Sequence, residues 1–298
     1  MRTVVVAVLA NLLVTAAKAV AAVLTGSAAL AAETAHSAAD TANEILLYVG
    51  VRRSGRRPDD RHPFGYGQAR YFWSLLAAVG VFAIGGCFAI YDGVRTLIHP
   101  EPLSNIPVGI AVLLVSAVLE AISWRTARQE IRAEADARHL SLRAYIATSS
   151  NPTPTTVFTE DTAALIGIAL ALIALVLHAV TGSAIADGVA SLLIGLLLIG
   201  ASFMLIRRNA ALLIDENAPP DVRDRLRELV ASEWWVVDVP ELLAVRVGPN
   251  QLLVIVHVVP VAACDLIAEI AALRDTLEAL PVVSRAEVTP MARTAGSG

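Results

Sequence analysis

The chain has 298 residues, of which 56% are hydrophobic and 17% charged. An average soluble domain carries about 25% charged residues, so an ordinary water-soluble globular protein is excluded, while the formal net charge of −4 says little until it is mapped along the chain. The two cysteines, Cys87 and Cys264, lie too far apart in unrelated contexts for a disulfide framework or a cysteine metal cluster, and both are expected as buried thiols.

A membrane helix needs about 20 mostly apolar residues to cross a hydrocarbon core of about 30 Å. Six stretches qualify: 4–24, 28–51, 72–91, 108–124, 154–180 and 185–206. Thr25-Gly26-Ser27 separates the first two, and Gly182-Ser183 the last two. The first run is longer than the roughly 7–15-residue core of a signal sequence, and a second follows at once, so it is expected to remain as a span.

The loops set the orientation. Arg52, Arg53, Arg56, Arg57, Arg61 and Arg70 lie between the second and third stretches. Arg125, Arg128, Arg132, Arg138 and Arg143 lie between the fourth and fifth, and Arg207 and Arg208 follow the sixth. The opposite links carry no charge around Thr25 and Gly182, and Arg95 is the one arginine of 92–107. Basic loops stay cytoplasmic, so both termini are expected in the cytosol. Tyr71, Trp73 and Trp124 fall at the inner boundary, where amphipathic rings sit. Lys18 is the one lysine among many arginines and alanines, a composition that points to a GC-rich bacterial genome and a bacterial plasma (inner) membrane.

After Arg208 the composition changes. Pro219-Pro220 opens an amphipathic helix over 221–232, and apolar runs at 242–247 and 252–259 flank Gly248-Pro249-Asn250 at hairpin distance. Residues 266–280 have helical spacing, and 282–288 read as a last strand. This α-β-β-α-β order predicts a small α+β domain with two helices on one face of a three-stranded sheet. The expected division is 1–208 for the membrane domain, 209–291 for the cytosolic domain and 292–298 for a tail.

Ionisable side chains in a membrane helix are costly and mark function or pairing. The second stretch holds Glu33, His36, Asp40 and Glu44. At about 100° per residue they fall within roughly 80° of one another, one polar stripe that serves either a metal path or a polar seam between helices. His36 and Asp40, one turn apart, have the spacing to grip one metal ion. Such nitrogen and oxygen donors suit Zn²⁺, Mn²⁺, Fe²⁺ or Co²⁺ better than Cu⁺, which favours sulfur. The fifth stretch adds Glu160 and Asp161, and matching their depth to His36 calls for tilt or a break near Pro152 and Pro154.

Other polar groups have plainer expectations. Asn11 and Lys18 share a face, with Lys18 either answering the acidic stripe or reaching outward. Glu120 reaches water at the cytosolic end, and Asp187 is interfacial or part of the path. His99 and His178 are solvated near the outer boundary, while His62 and His139 lie in cytosolic loops, solvated or delivering metal.

Taken together, Asn11 with Lys18, Gly26-Ser27-Ala28-Ala29-Leu30, His36-Ser37-Ala38-Ala39-Asp40, His62-Pro63-Phe64-Gly65-Tyr66-Gly67 and the C-terminal domain resemble the cation diffusion facilitator family. Phe158-Thr159-Glu160-Asp161-Thr162-Ala163-Ala164-Leu165 is similar to the subgroup near mammalian zinc transporter nine. The resemblance implies six transmembrane helices, a ferredoxin-like cytosolic domain, a homodimer and metal/proton antiport. It implies His36, Asp40 and Asp161 as transport-site ligands, with Val157 where relatives carry the remaining one. Glu160, Glu33 and Glu44 are candidate additional ligands or proton carriers. In the cytosolic domain His257 falls where relatives place a ligand, with Glu287 and Thr289 nearby; the alternative is a strand residue that supports dimer contacts.

The reading is a secondary transporter that exports a divalent metal cation, zinc foremost, from the cytosol by proton antiport. Bound metal needs a neutral imidazole and ionised carboxylates, so metal and protons compete, and an imidazole with an unperturbed pKa of about 6.5 suits that exchange. The partners implied are the metal ion, protons, membrane lipid and a second copy of the chain, with no resident cofactor and no nucleic acid. The alternatives are a transport-incompetent metal sensor or scaffold of the same fold, a carrier of Mn, Fe or Co, and a carrier of an organic solute. The loops hold no phosphate-cradling glycine motif and no nucleophile–base pair, so an enzyme is not expected.

Overall fold

Long apolar runs separated by two-residue glycine turns can satisfy their backbone polar groups internally only as helices. The computed structural model describes residues 2–137, 140–148, 152–249, 251–262 and 265–292, with the side chains of 2–10, 147, 148, 152 and 153 left out. Its helices are α1 (Arg2–Thr25), α2 (Ala28–Ser54), α3 (Ala69–Gly80), a π-helical stretch (Val81–Cys87), α4 (Phe88–Ile98), α5 (Ile106–Ala137), α6 (Leu142–Thr148), α7 (Pro152–Thr181) and α8 (Ile185–Leu213). Gly26 and Gly182, with φ of 71° and 69°, reverse the chain between α1 and α2 and between α7 and α8, a conformation that glycine adopts without strain.

Four helical runs are long and apolar enough to cross a bilayer: Ala69–Ile98, Ile106–Ala137, Pro154–Thr181 and Ile185–Leu213. The apolar part of α1 with described side chains is Asn11–Thr25, and α2 is interrupted by Glu33, Asp40 and Glu44. Large hydrophobic residues face outward from this body, among them Val23 at 85% and Val180 at 80% exposure. Such a surface is unsuited to water and suited to lipid.

Several boundaries differ from the sequence expectation. α5 continues well past 124 because Arg125 to Ala137 contain no glycine or proline and are rich in strong helix formers. For the same reason Arg207 and Arg208 lie inside α8. Pro152 and Pro154 break nothing: they sit in the first turn of α7, where a missing N–H is tolerated. Cys87 is exposed, not buried, and Cys264 lies outside the described residues.

The helices pack around Leu30, Leu113, Ile168, Leu175, Ile194 and Leu198. The run from α3 to α4 meets α8 backbone to backbone. A Cβ on Gly86 would lie 2.7 Å from Ile199, and one on Gly93 would lie 2.9 Å from the Gly188 carbonyl. Small residues at such crossings let membrane helices approach closely.

The small domain comprises α9 (Pro220–Ala231), β1 (Val236–Gly248), β2 (Gln251–Pro260), α10 (Leu266–Glu278) and β3 (Val283–Pro290). The sheet order is β1-β2-β3, antiparallel then parallel. Leu226 and Val230 of α9 and Leu273 and Leu277 of α10 share one core with Ala244, Val254, Val256 and Val288, so both helices cover the same sheet face. β1 begins earlier than 242, and its register slips between Asp238 and Glu241, around Pro240, which has no N–H to give the ladder.

The chain divides into two units, 1–52 with 71–210, and 53–70 with 211–298. The arginine-rich segment 53–70 therefore groups with the small domain, although it lies within 1–208. Gly67 rests against the β1–β2 hairpin: a Cβ there would strike the Val247 carbonyl and lie 2.8 Å from the Gly248 Cα. Phe64 lies under the Arg285 guanidinium at 6.0 Å, and the Gln68 amide donates to Asp215 at 3.3 Å.

Gly67→Val forces backbone against backbone, and overpacking of this kind costs about 1–3 kcal/mol. Trypsin should then cut at Arg56, Arg57 and Arg61 faster than in the wild type; an unchanged digestion pattern would show that the segment does not rest on the hairpin.

Candidate metal centre

The polar stripe of α2 faces the interior of the bundle, with Glu33 at 0% and His36 at 1% exposure. In that setting each ionisable group needs a partner, and most have one. The Asn11 amide of α1 donates to Glu44 Oε1 at 2.7 Å. Two helical turns along, Lys18 Nζ donates to Glu33 Oε2 at 3.1 Å and to Ser37 Oγ at 2.8 Å. The Asn43 amide donates to both oxygens of Glu160 on α7 at 2.5 Å. The shared face of Asn11 and Lys18 thus pairs with α2, and Lys18 answers the acidic stripe instead of reaching outward.

The middle of the stripe is different. His36 Nε2 lies 3.5 Å from Asp40 Oδ2, without hydrogen-bond geometry. Both ring nitrogens of His36, Oδ1 of Asp40 and Oδ2 of Asp161 are buried with no hydrogen-bond partner. Buried polar atoms are nearly always partnered, so these open atoms on two helices stand out. Among the described residues no three His, Cys, Asp or Glu side chains yet stand close enough to hold an ion together. His36 and Asp40 are brought together on α2, and Asp161 stands apart on α7 with one oxygen open.

α5 supplies a wall that sequence reading missed. Ser123 hydrogen-bonds Asp161. Trp124 Nε1 donates to Thr162 Oγ1 at 3.0 Å, and its ring stacks on Phe158 at 5.7 Å. The Arg128 guanidinium lies 5.4 Å over the Trp124 ring. These contacts fix the rotation of α7 on both sides of Asp161. Glu120 is partly exposed. A run of Glu120, Ser123 and Trp124 at helical spacing was the available signal.

Asp187, in the first turn of α8, points into the bundle. It is fully buried and accepts hydrogen bonds from Ser27 Oγ at 2.5 Å, the Ala28 amide at 2.5 Å and the Ala29 amide at 3.4 Å. Ser27 in turn accepts from the Leu30 amide at 3.1 Å. A carboxylate and a serine therefore cap the first turn of α2, where free N–H groups and the helix dipole favour negative charge. His178 is buried, not solvated, and accepts from the Leu103 amide at 3.2 Å. His99 is exposed, as expected.

His62 is exposed and lies 3.5 Å from Asp59. Asp59 accepts from the Tyr66 hydroxyl at 2.7 Å and the His62 amide at 2.8 Å. These bonds, the Tyr66 one first, hold its carboxyl below the ordinary range and push the Tyr66 hydroxyl up. His139 lies outside the described residues. On β2, His257 Nδ1 is 3.0 Å from Glu241 Oε2 of β1, a partner that sequence reading missed. Thr289 stands opposite His257, and Glu287 opposite Ile255.

The family model described as the cation efflux transmembrane domain matches residues 4–214. A Xenopus laevis protein named proton-coupled zinc antiporter SLC30A9, mitochondrial, is 36% identical over 230 residues, 77% of this chain and 41% of that one. The Homo sapiens protein of the same name is 34% identical over 230 residues, 77% and 40% of the two chains. Metal tolerance protein C4 of Arabidopsis thaliana is 37% identical over 220 residues, 74% and 48%. The chain spans about two fifths to one half of the length of these relatives.

Asp187→Ala removes the cap from α2. Loss of a capping side chain costs about 0.5–2 kcal/mol, so the melting temperature in detergent should fall while the stoichiometry of metal binding stays unchanged. An unaltered melting temperature would contradict the capping role.

Proposed function

Because the chain belongs to the cation efflux family, we propose that it is a secondary transporter that carries a divalent metal cation out of the cytosol in exchange for protons. The observation that carries this reading is the set of buried, unpartnered atoms on His36, Asp40 and Asp161, all lone-pair donors to a cation. α1 and α2 complete six transmembrane helices, the arginine-rich segments and both termini face the cytosol, and two copies form the working unit in a bacterial plasma membrane.

His36, Asp40 and Asp161 act as the ligands. Val157 has no donor atom, so water completes the shell. Glu160 has both oxygens engaged by Asn43 and holds α7 to α2 without ligating. Since no three donors are yet close, capture of the ion draws α2 and α7 together. Asp40 is 20% exposed and His36 1%, a gradient that supports entry from the Asp40 side. Metal binding requires the imidazole neutral and the carboxylates ionised, so each ion bound expels protons.

One nitrogen with carboxylate oxygens suits zinc and also Mn²⁺, Fe²⁺ or Co²⁺. The printed names of two relatives support zinc. The ligand missing at Val157 favours a second reading, a metal-binding sensor or scaffold, whose signature is binding without flux.

In proteoliposomes under an imposed pH gradient, the wild type should take up Zn²⁺ with proton release and discriminate among Mn²⁺, Fe²⁺, Co²⁺ and Cd²⁺. Asp40→Ala and His36→Ala should abolish both signals, and full retention in Asp40→Ala would end the proposal. Glu160→Gln keeps an oxygen for the Asn43 amide and should retain flux, losing less than the roughly 10–100-fold typical of a damaged metal shell. Apparent metal affinity should rise with pH by about tenfold per unit for each proton displaced; a flat profile would argue against exchange.

A further inference from the structure

The transport reading leaves one buried charge without a task. Lys18 is the one lysine of the chain and is 0% exposed. Its ammonium contacts Glu33 and Ser37, one residue from His36, and its charge acts on both His36 and Asp40. Replacing a buried ion pair with apolar side chains is often neutral or stabilising, so stability gives no reason to place this pair here.

Its place in the bundle gives one. Along α2 the polar groups run Glu44, Asp40, His36, Glu33, and Glu33 is the last. Beyond it lie Leu30 and Ala29, packed with Leu113, Ile168 and Leu175. Glu33 Oε1 has no hydrogen-bond partner, and a Cβ on Gly167 of α7 would strike it. The carboxylate is thus the next stop for a cation leaving His36, with one oxygen open and the other held by Lys18.

We propose that Lys18 is a tethered counter-ion that closes the far end of the metal path and keeps metal movement coupled to protons. With its ammonium on Glu33, a divalent cation at His36 and Asp40 faces a fixed charge of its own sign. The cation advances only when α1, α2 and α7 rearrange. This assignment rests on the transport reading.

The test uses the full chain in proteoliposomes loaded with Zn²⁺, with metal and proton fluxes read together. Lys18→Met opens Glu33 to the metal and should give zinc flux without matching proton counterflow. Lys18→Arg should restore coupling, and Lys18→Met with Glu33→Gln should abolish the leak because the stepping-stone is gone. Coupled flux in Lys18→Met, or silence with intact zinc binding, overturns the proposal. Should Lys18→Met not fold, Glu33→Gln decides: the uncompensated ammonium should weaken zinc binding by about tenfold or more, and the double variant should recover it. Unchanged binding in Glu33→Gln overturns the assignment. Absence of flux in the wild type would instead count against the transport reading, with the zinc-binding comparison still deciding whether the charge of Lys18 reaches the centre.

Discussion

The interior of the helix bundle is largely apolar, so each ionisable group carried in by α2 is costly unless another side chain answers it. That constraint orders the whole membrane unit. α1 answers with Asn11 and Lys18, α7 with Glu160 against Asn43, and α8 with Asp187 on the first turn of α2. Each contact also fixes the position of a helix, so the polar seam that looks expensive in isolation is what sets the bundle in register. His36, Asp40 and Asp161 are among the residues that keep buried atoms without a partner, and they are the ligands proposed above.

The same constraint bears on the spacing of His36, Asp40 and Asp161, the ligands proposed above. Three donors held at ligand distance without an ion would face like charges at close range in a medium of low dielectric. Instead His36 leans toward Asp40, and Asp161 is held by Ser123 with Trp124 locking the helix on either side. On the transport reading proposed above, closing that gap would fall to the metal itself and would distinguish loaded from empty states. The close backbone contact of α8 with α3–α4 through Gly86, Gly93 and Gly188 makes those helices a stiff neighbour for a stripe that has to move.

The small domain is built on other terms. Its core is a sheet face covered by α9 and α10, and the segment 53–70, which joins α2 to α3, lies on that unit through Gly67, Phe64 and Gln68. The chain thus leaves the end of α2 and packs on the small domain before α3 begins.

Much of this was legible in the residues. Hydropathy marked the long helices, the α-β-β-α-β order held, and the stripe on α2 singled out His36 and Asp40, because these features depend on local periodicity and on the cost of charge in oil, whereas most of the arginines assigned to loops lie within the ends of α2, α5 and α8. The sequence by itself therefore determined a helical membrane protein with a small C-terminal sheet domain, and which helix carries the polar stripe. Only the tertiary structure decided the partners: Lys18 on Glu33, Asp187 beneath α2, Glu241 on His257, and Ser123 with Trp124 around Asp161. Pairing in a bundle depends on which helices are neighbours and how each is rotated, and those are set by side-chain packing between residues far apart in the chain, which no local pattern records.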